Sequence, residues 1–182
     1  MNIATIFING KKFEKLLQTF RMIYHTPSIN TIKNYLLKHK ETIAVAESVS
    51  CGHLQAALST AEDASMFFQG GITAFNIGQK CRHLDVEPIY ADECDCVSQV
   101  VSNAMSRGVT EMFLSDYGIS LTGYATKVPE VDGDDLYAYY SIVRKGKLLS
   151  KGKILYRSKD YGFAAQVFYT NELLKKFALI FK

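Results

Sequence analysis

Apolar and polar positions alternate with two periods along this chain, and the switches between them divide it into elements. Near the start, Phe13, Leu16, Leu17, Phe20, Ile23 and Tyr24 recur at helical spacing, with Lys11, Lys15 and Arg21 off that face. Pro27 is expected to close this helix, and Ser28 to cap a second one whose Ile32, Tyr35 and Leu36 share a face. Runs with strand character follow at 42–47, 71–76, 118–124, 136–146 and 148–157. The last two, joined by Gly146–Lys147, read as an antiparallel hairpin. Helical stretches are expected from near Gly52, from near Ile77, and from Ser98, which is placed to cap the longest of them. A closing helix is expected from about Asp160 to Phe177. Helices between strands, then a hairpin, then a helix predict an α/β sandwich with a mixed β-sheet. Residues 1–27 read as an N-terminal extension carrying the amphipathic helix, and 28–182 as one domain.

The chain of 182 residues is long enough for one full core, and 48% hydrophobic with 21% charged residues is ordinary globular composition. With 21 basic against 18 acidic residues, the net charge of +3 lacks the bias of a dedicated nucleic-acid binder. No run approaches the length of a membrane span, and the first residues do not have the pattern of a signal peptide. Cys51, Cys81, Cys94 and Cys96 are therefore expected as free thiols in a cytoplasmic protein. The wide apolar face of the first helix should cover its own domain or a second copy, giving a homo-oligomer.

Three strand ends carry candidate chemistry. The strand at 42–47 runs into Glu47-Ser48-Val49-Ser50-Cys51-Gly52 and then a helix, whose N-terminus suits a phosphate or an oxyanion. The next ends at Phe75-Asn76 with Lys80 a helical turn further on, and the third at Thr122-Gly123-Tyr124. A serine hydroxyl needs a base to act as a nucleophile, and a lysine serves if burial lowers its pKa. Ser48 and Lys80 are a physically sensible pair; the bland alternative is that Ser48 caps the helix and Lys80 is solvated. Cys51-Gly52-His53 and Cys81-Arg82-His83 supply metal-ligating types without the spacing of structural zinc sites. Cys51, a thiol at a helix start, is a second candidate nucleophile. Cys94-Asp95-Cys96 reads as a plain loop. Tyr124, Tyr137, Tyr139 and Tyr140 could stack a nucleobase, although strand propensity alone explains the last three.

Ala46-Glu47-Ser48, the run Phe68-Gln69-Gly70-Gly71-Ile72-Thr73-Ala74-Phe75, Lys80, Val97-Ser98 and Thr122-Gly123 together resemble the C-terminal domain of the CinA (competence/damage-inducible) family. The resemblance extends over about residues 28–180. It implies a three-layer α/β/α sandwich and an activity, hydrolysis of the carboxamide of nicotinamide mononucleotide to the acid and ammonia, with no metal or organic cofactor. It also implies a small-molecule pyridine nucleotide as partner, a homo-oligomer, and neither nucleic acid nor membrane. The family uses a serine, a tyrosine and a lysine. By motif these are Ser48, Phe75 in the tyrosine's place 27 residues on, and Lys80 32 residues on. Glu47, Ser50, Cys51, Gly52, Phe75, Asn76, Thr122 and Gly123 are the expected substrate contacts.

The chain departs from the family pattern beyond Phe75. A glycine of the family's C-T-G-G is Cys51 here, and its glycine- and proline-rich loop is replaced by Tyr124–Pro129. The entry to the next strand is Asp132-Gly133-Asp134-Asp135, and Tyr161 stands at an arginine position, with no arginine after Arg157. Arginine is the favoured phosphate partner. The alternative to an amidohydrolase is therefore a catalytically degenerate module that binds a ligand or partner without turnover.

Overall fold

The computed structural model describes residues 23–128 and 136–182. All of the expected first helix except Ile23 and Tyr24, and the segment holding Pro129 and Asp132 to Asp135, lie outside the described residues.

Five strands form one mixed sheet in the order β2-β1-β3-β4-β5. β1 (Ile43–Glu47) pairs in parallel with β2 (Phe68–Thr73) and β3 (Tyr117–Gly123), while β4 (Leu136–Arg144) and β5 (Lys147–Tyr156) continue the sheet antiparallel. Among the described residues six α-helices cover it: α1 (Thr26–His39), α2 (His53–Ser59), α3 (Ile77–Leu84), α4 (Pro88–Glu93), α5 (Gln99–Met112) and α6 (Phe163–Leu179). The alternation in β1 decides the layers. Ile43 and Val45 join the cluster built with α1, α2 and α6; Ala44 and Ala46 join that built with α3, α4 and α5. The fold is thus an α/β/α sandwich, and β1 is buried along its whole length. No helix among the described residues is long and apolar enough to cross a membrane.

Several boundaries differ from those the sequence suggests, each for a local reason. α1 begins at Thr26, not after Ser28. The imidazole of His25 accepts from the Ser28 amide, and Pro27 occupies the first turn, where its missing N–H costs nothing. β2 starts at Phe68 rather than Gly71. Ile43 pairs with Phe68 and Ala44 with Gly70, so Gln69 is an extra, bulged residue, and Gly70 has the positive φ (122°) this irregularity needs. The hairpin turn is Lys145-Gly146, both left-handed (φ 49° and 74°), matching the twist of the flanking strands. α4 was not expected; Glu87 caps its first turn through the Ile89 and Tyr90 amides. α6 starts at Phe163 after Gly162 and, at 17 residues, is longer than the 14-residue α5. Ser98 does cap α5, accepting from the Val101 amide at 3.1 Å.

Candidate active site

The chain leaves β1 at Glu47 and turns sharply before α2. The Ser48 amide donates to the Leu121 carbonyl of β3 at 3.0 Å, so the turn begins fixed to the neighbouring strand. Cys51 and Gly52 both take positive φ (47° and 99°), a conformation that Gly52 adopts freely and Cys51 does not. The fully buried Glu47 carboxylate organises the turn. It accepts from the Ser50 hydroxyl at 2.6 Å and from the amides of Gly52, Leu54 and Gln55 at 2.9–3.0 Å. A carboxylate satisfied by the positive end of α2 is well matched to its burial.

This arrangement changes the role expected for the helix start. The amides of Gly52, Leu54 and Gln55 belong to Glu47, and those of Cys51 and His53 to the carbonyls of Ser48 and Ser50. Only the amides of Val49 and Ser50 in this turn have no acceptor among the described residues. Glu47, Ser50, Cys51 and Gly52 stand behind or beside the cavity wall rather than in it, and Cys51 is exposed.

A cavity of about 400 Å3 opens at the carboxyl ends of β1 and β3, where α/β sheets place ligands. Ser48 and Val49 line it from the β1 turn, Phe75 and Lys80 from the segment after β2 and from α3, and Thr122 and Gly123 from the end of β3. Tyr124, expected as a candidate stacking ring, does line the wall, and so do residues to which no site role was assigned: Asp95 after α4, Val97, Ala125, Thr126 and Val128, and Gly162 and Gln166 at the start of α6. Only a glycine opening a helix, Gly162, offered a local signal. A second cavity of about 340 Å3 adjoins the first, sharing Phe75, Lys80 and Asp95 and adding Asn76, Asp92 and Cys96. Asn76 caps α3, accepting from the Gln79 amide at 3.0 Å. A larger but shallow groove of about 760 Å3 between β5 and α6 contains none of the residues singled out for chemistry.

Lys80 is not solvated: it is 2% exposed, and its Nζ donates to the Phe75 carbonyl at 2.8 Å. Burial lowers its pKa, while Cys96 and Asp95 pull in the opposite direction. Among the described residues it has no ion-pair partner. Burial in turn raises the pKa of Cys96. Ser48 is 6% exposed and faces the same cavity, without capping α2. Phe75 is 70% exposed at the junction of the two cavities. Thr122 faces away from solvent, its hydroxyl donating to the Cys96 carbonyl at 2.8 Å.

The two Cys-x-His pairs do not form a metal centre: among the described residues no three His, Cys, Asp or Glu side chains are grouped to hold an ion. His53 instead bonds the Tyr24 hydroxyl at 2.8 Å, which anchors the end of the N-terminal extension on α2.

Comparison with known proteins extends this picture. The CinA C-terminal domain matches residues 25–134, more than half of the chain. A CinA-like protein of Synechocystis sp. is 37% identical over 99 residues, 54% of this chain and 24% of its own length. Another, of Thermosynechococcus vestitus, is 30% identical over 135 residues, 74% of this chain and 31% of its own. The chain therefore spans about a quarter to a third of these curated relatives. Among solved structures, a competence or damage-inducible protein from Enterobacter asburiae shares the fold, with a TM-score of 0.75, 18% identity, and 85% of this chain and 96% of that one covered. A CinA superfamily protein from Escherichia coli gives a TM-score of 0.71 at 22% identity, covering 85% and 87%. The strand-end serine, the buried lysine and the cavity between them thus sit in a chain that belongs to the CinA C-terminal domain family.

Proposed function

We propose that the chain is an amidohydrolase acting on the carboxamide of nicotinamide mononucleotide or a related amide, with Ser48 as nucleophile and Lys80 as base. The observation that carries this reading is a serine hydroxyl and a buried, single-acceptor lysine lining one cavity at the strand ends. A lysine whose pKa is lowered by burial gives up its proton more readily than a solvated one, and only the neutral amine accepts a proton.

In the first half-reaction the Ser48 oxygen attacks the carboxamide carbon and its proton passes to the Lys80 nitrogen. The oxyanion that forms would be received by the Val49 amide, which belongs to a cavity-lining residue and has no acceptor among the described residues. Collapse breaks the carbon–nitrogen bond, and Lys80 returns the proton to the departing nitrogen as ammonia leaves. A water then attacks the ester on Ser48, giving up its proton to Lys80. Collapse restores the serine hydroxyl and releases the carboxylate. The uncapped start of α6, with Gly162 in the cavity wall, is a place where a ligand's negative end would be favoured.

The binding-module alternative is favoured by one observation. Phe75 brings no hydroxyl to the junction where the family has a tyrosine, and Lys80 is held by the Phe75 carbonyl instead. The test is ammonia release from nicotinamide mononucleotide by wild type, Ser48→Ala and Phe75→Tyr. Turnover that vanishes in Ser48→Ala and rises in Phe75→Tyr supports the enzyme; acid–base help of this kind is worth about 10²–10⁴ in rate. No ammonia from any of the three, in folded protein, leaves the binding module. Activity that survives Ser48→Ala but disappears in Cys51→Ala would move the nucleophile to the thiol.

A further inference from the structure

Asp95 is the only carboxylate among the described residues lining the main cavity, and it lines the adjoining cavity as well. Its position is built rather than incidental. Asp95 and Cys96 follow α4 with two consecutive left-handed conformations (φ 48° and 58°), unusual for residues other than glycine. The turn is closed by the Cys96 amide on the Ala91 carbonyl at 2.7 Å and the Asp95 amide on the Asp92 carbonyl at 3.2 Å. It is tied to β3 by the Thr122 hydroxyl on the Cys96 carbonyl. The backbone beneath the carboxylate is thereby pinned to the strand that forms the cavity floor. Yet the carboxylate accepts no hydrogen bond and makes no direct ion pair among the described residues, although it acts through space on Lys80. It is solvent-accessible, so leaving it unpaired costs the free protein little.

The other charged features of this cavity favour anions or protons: the positive end of α6 at Gly162, and Lys80. Asp95 is the one group that favours a cation, and Phe75 and Tyr124 add aromatic rings to the same wall. Aromatic faces also attract positive charge.

We infer that Asp95 is a specificity-determining residue, selecting carboxamides whose ring carries a fixed positive charge, as in an N-substituted pyridinium, over the same amides on a neutral ring. This rests on the amidohydrolase reading for its substrate class. The charge sits on the ring that bears the carboxamide, so attraction to Asp95 orients the amide while the positive ring makes its carbon more electrophilic. A neutral ring gains neither.

The test uses nicotinamide mononucleotide and its reduced dihydropyridine form, which keep ribose, phosphate and carboxamide and differ in the charge of the ring. Binding to the full chain is measured by calorimetry in a Ser48→Ala background, and KM by ammonia release. Calorimetry separates charge recognition from the different intrinsic reactivity of the two amides. The oxidised form is expected to bind at least about tenfold more tightly, and Asp95→Asn to reduce that ratio to within about threefold. Asp95→Gly, which suits the left-handed backbone and removes the charge, should do the same and guards against a variant that fails to fold. Equal binding of the two forms by the Asp95 protein, binding of neither, or a ratio unchanged in both variants overturns the inference. Absence of ammonia release alone would sink the amidohydrolase reading while the calorimetric ratio still decides the role of Asp95.

Discussion

Against one face of the sheet, α1, α2 and α6 pack Phe67, Tyr117, Tyr169 and Phe177 with leucines and isoleucines into a thick aromatic layer. Against the other face, α3, α4 and α5 meet Ala44 and Ala46, with Gly118, Ser120 and Ser141 beneath α5. There Ser102 bonds Ser120 and Ser106 bonds Ser141, each at 2.9 Å, and Thr110 bonds back to the Ser106 carbonyl. A Cβ on Gly118 would lie 2.2 Å from that carbonyl oxygen, and one on Gly108 would lie 2.5 Å from the Leu84 carbonyl oxygen. The thick face buries the large apolar area that drives folding. The thin face lets helix backbones approach the sheet and one another, and it holds Lys80 on α3 and the Asp95 turn after α4. Stability and positioning are divided between the two sides.

The largest effect expected from this division is on the thick side. Phe177 is fully buried and packs edge-on against Tyr117 and Phe181. Phe177→Ala should cost about 4 kcal/mol in urea unfolding, while folded molecules keep their ligand affinity, because Phe177 lines neither of the two cavities. A loss of affinity in the folded fraction would show that the layers are not separable.

Gly108→Ala puts the same question to the thin side. The added methyl meets the backbone of Leu84, one turn beyond Lys80 on α3, and backbone cannot rotate out of the way. Overpacking here should cost about 2–3 kcal/mol and, unlike Phe177→Ala, displace Lys80 and lower turnover well beyond the loss of folded protein. Circular dichroism melts together with kcat per folded molecule check both parts. Unchanged kcat would mean that α3 is not positioned by this crossing.

The thick face was the more legible of the two in sequence. Apolar runs gave β1 and β3, the shared face of Ile32, Tyr35 and Leu36 gave α1, and an extended tyrosine-rich run gave β4. Ser48 and Lys80 could be singled out because a hydroxyl at a strand end and a lysine one turn into a helix are local patterns. On the thin face α3 and α5 were anticipated, but the contacts that hold them to the sheet were not. Ser102 and Ser120 are 18 residues apart and Ser106 and Ser141 are 35 apart, and a serine looks the same on a surface as in a paired, buried contact. α4 has six residues, too few for a period, although Glu87-Pro88 is a start signal. Asp95 escaped because its place depends on two left-handed residues and on a hydroxyl 27 positions away at Thr122. Glu47 was recognised as a site residue, but its use as the cap of α2 depends on where the turn directs its carboxylate.

The hydroxyl pairs of the thin face allow a finer cut. Ser120→Ala leaves the buried Ser102 hydroxyl without its closest partner and removes the bond to the Ser102 carbonyl, which should cost about 1–2 kcal/mol. Ser102→Ala with Ser120→Ala removes both polar groups and should cost less than the sum of the single changes, because no hydroxyl is then stranded. Strictly additive losses in chemical denaturation would mean that the two hydroxyls do not act as a pair.

The smallest effect expected is a gain. Lys80 lies 2% exposed in the thin layer with a single carbonyl acceptor, and burial holds its pKa below the ordinary 10.5. Between the lowered value and 10.5 the unfolded chain keeps a proton that the folded chain has released. Stability therefore rises with pH across that window, and below it the folded protein bears the whole cost of a buried ammonium. Lys80→Met keeps an unbranched side chain, one heavy atom shorter, and removes that cost. Net of the lost hydrogen bond to the Phe75 carbonyl, it should stabilise the fold by about 1 kcal/mol at neutral pH, and the gain should shrink as pH climbs through the window. Ammonia release should fall to background in the same variant. Urea titrations of wild type and Lys80→Met at pH 7 and pH 10 measure the difference. A variant less stable than wild type at pH 7, or a gain that grows toward pH 10, would mean that Lys80 serves the packing of the thin face instead of being held there against it.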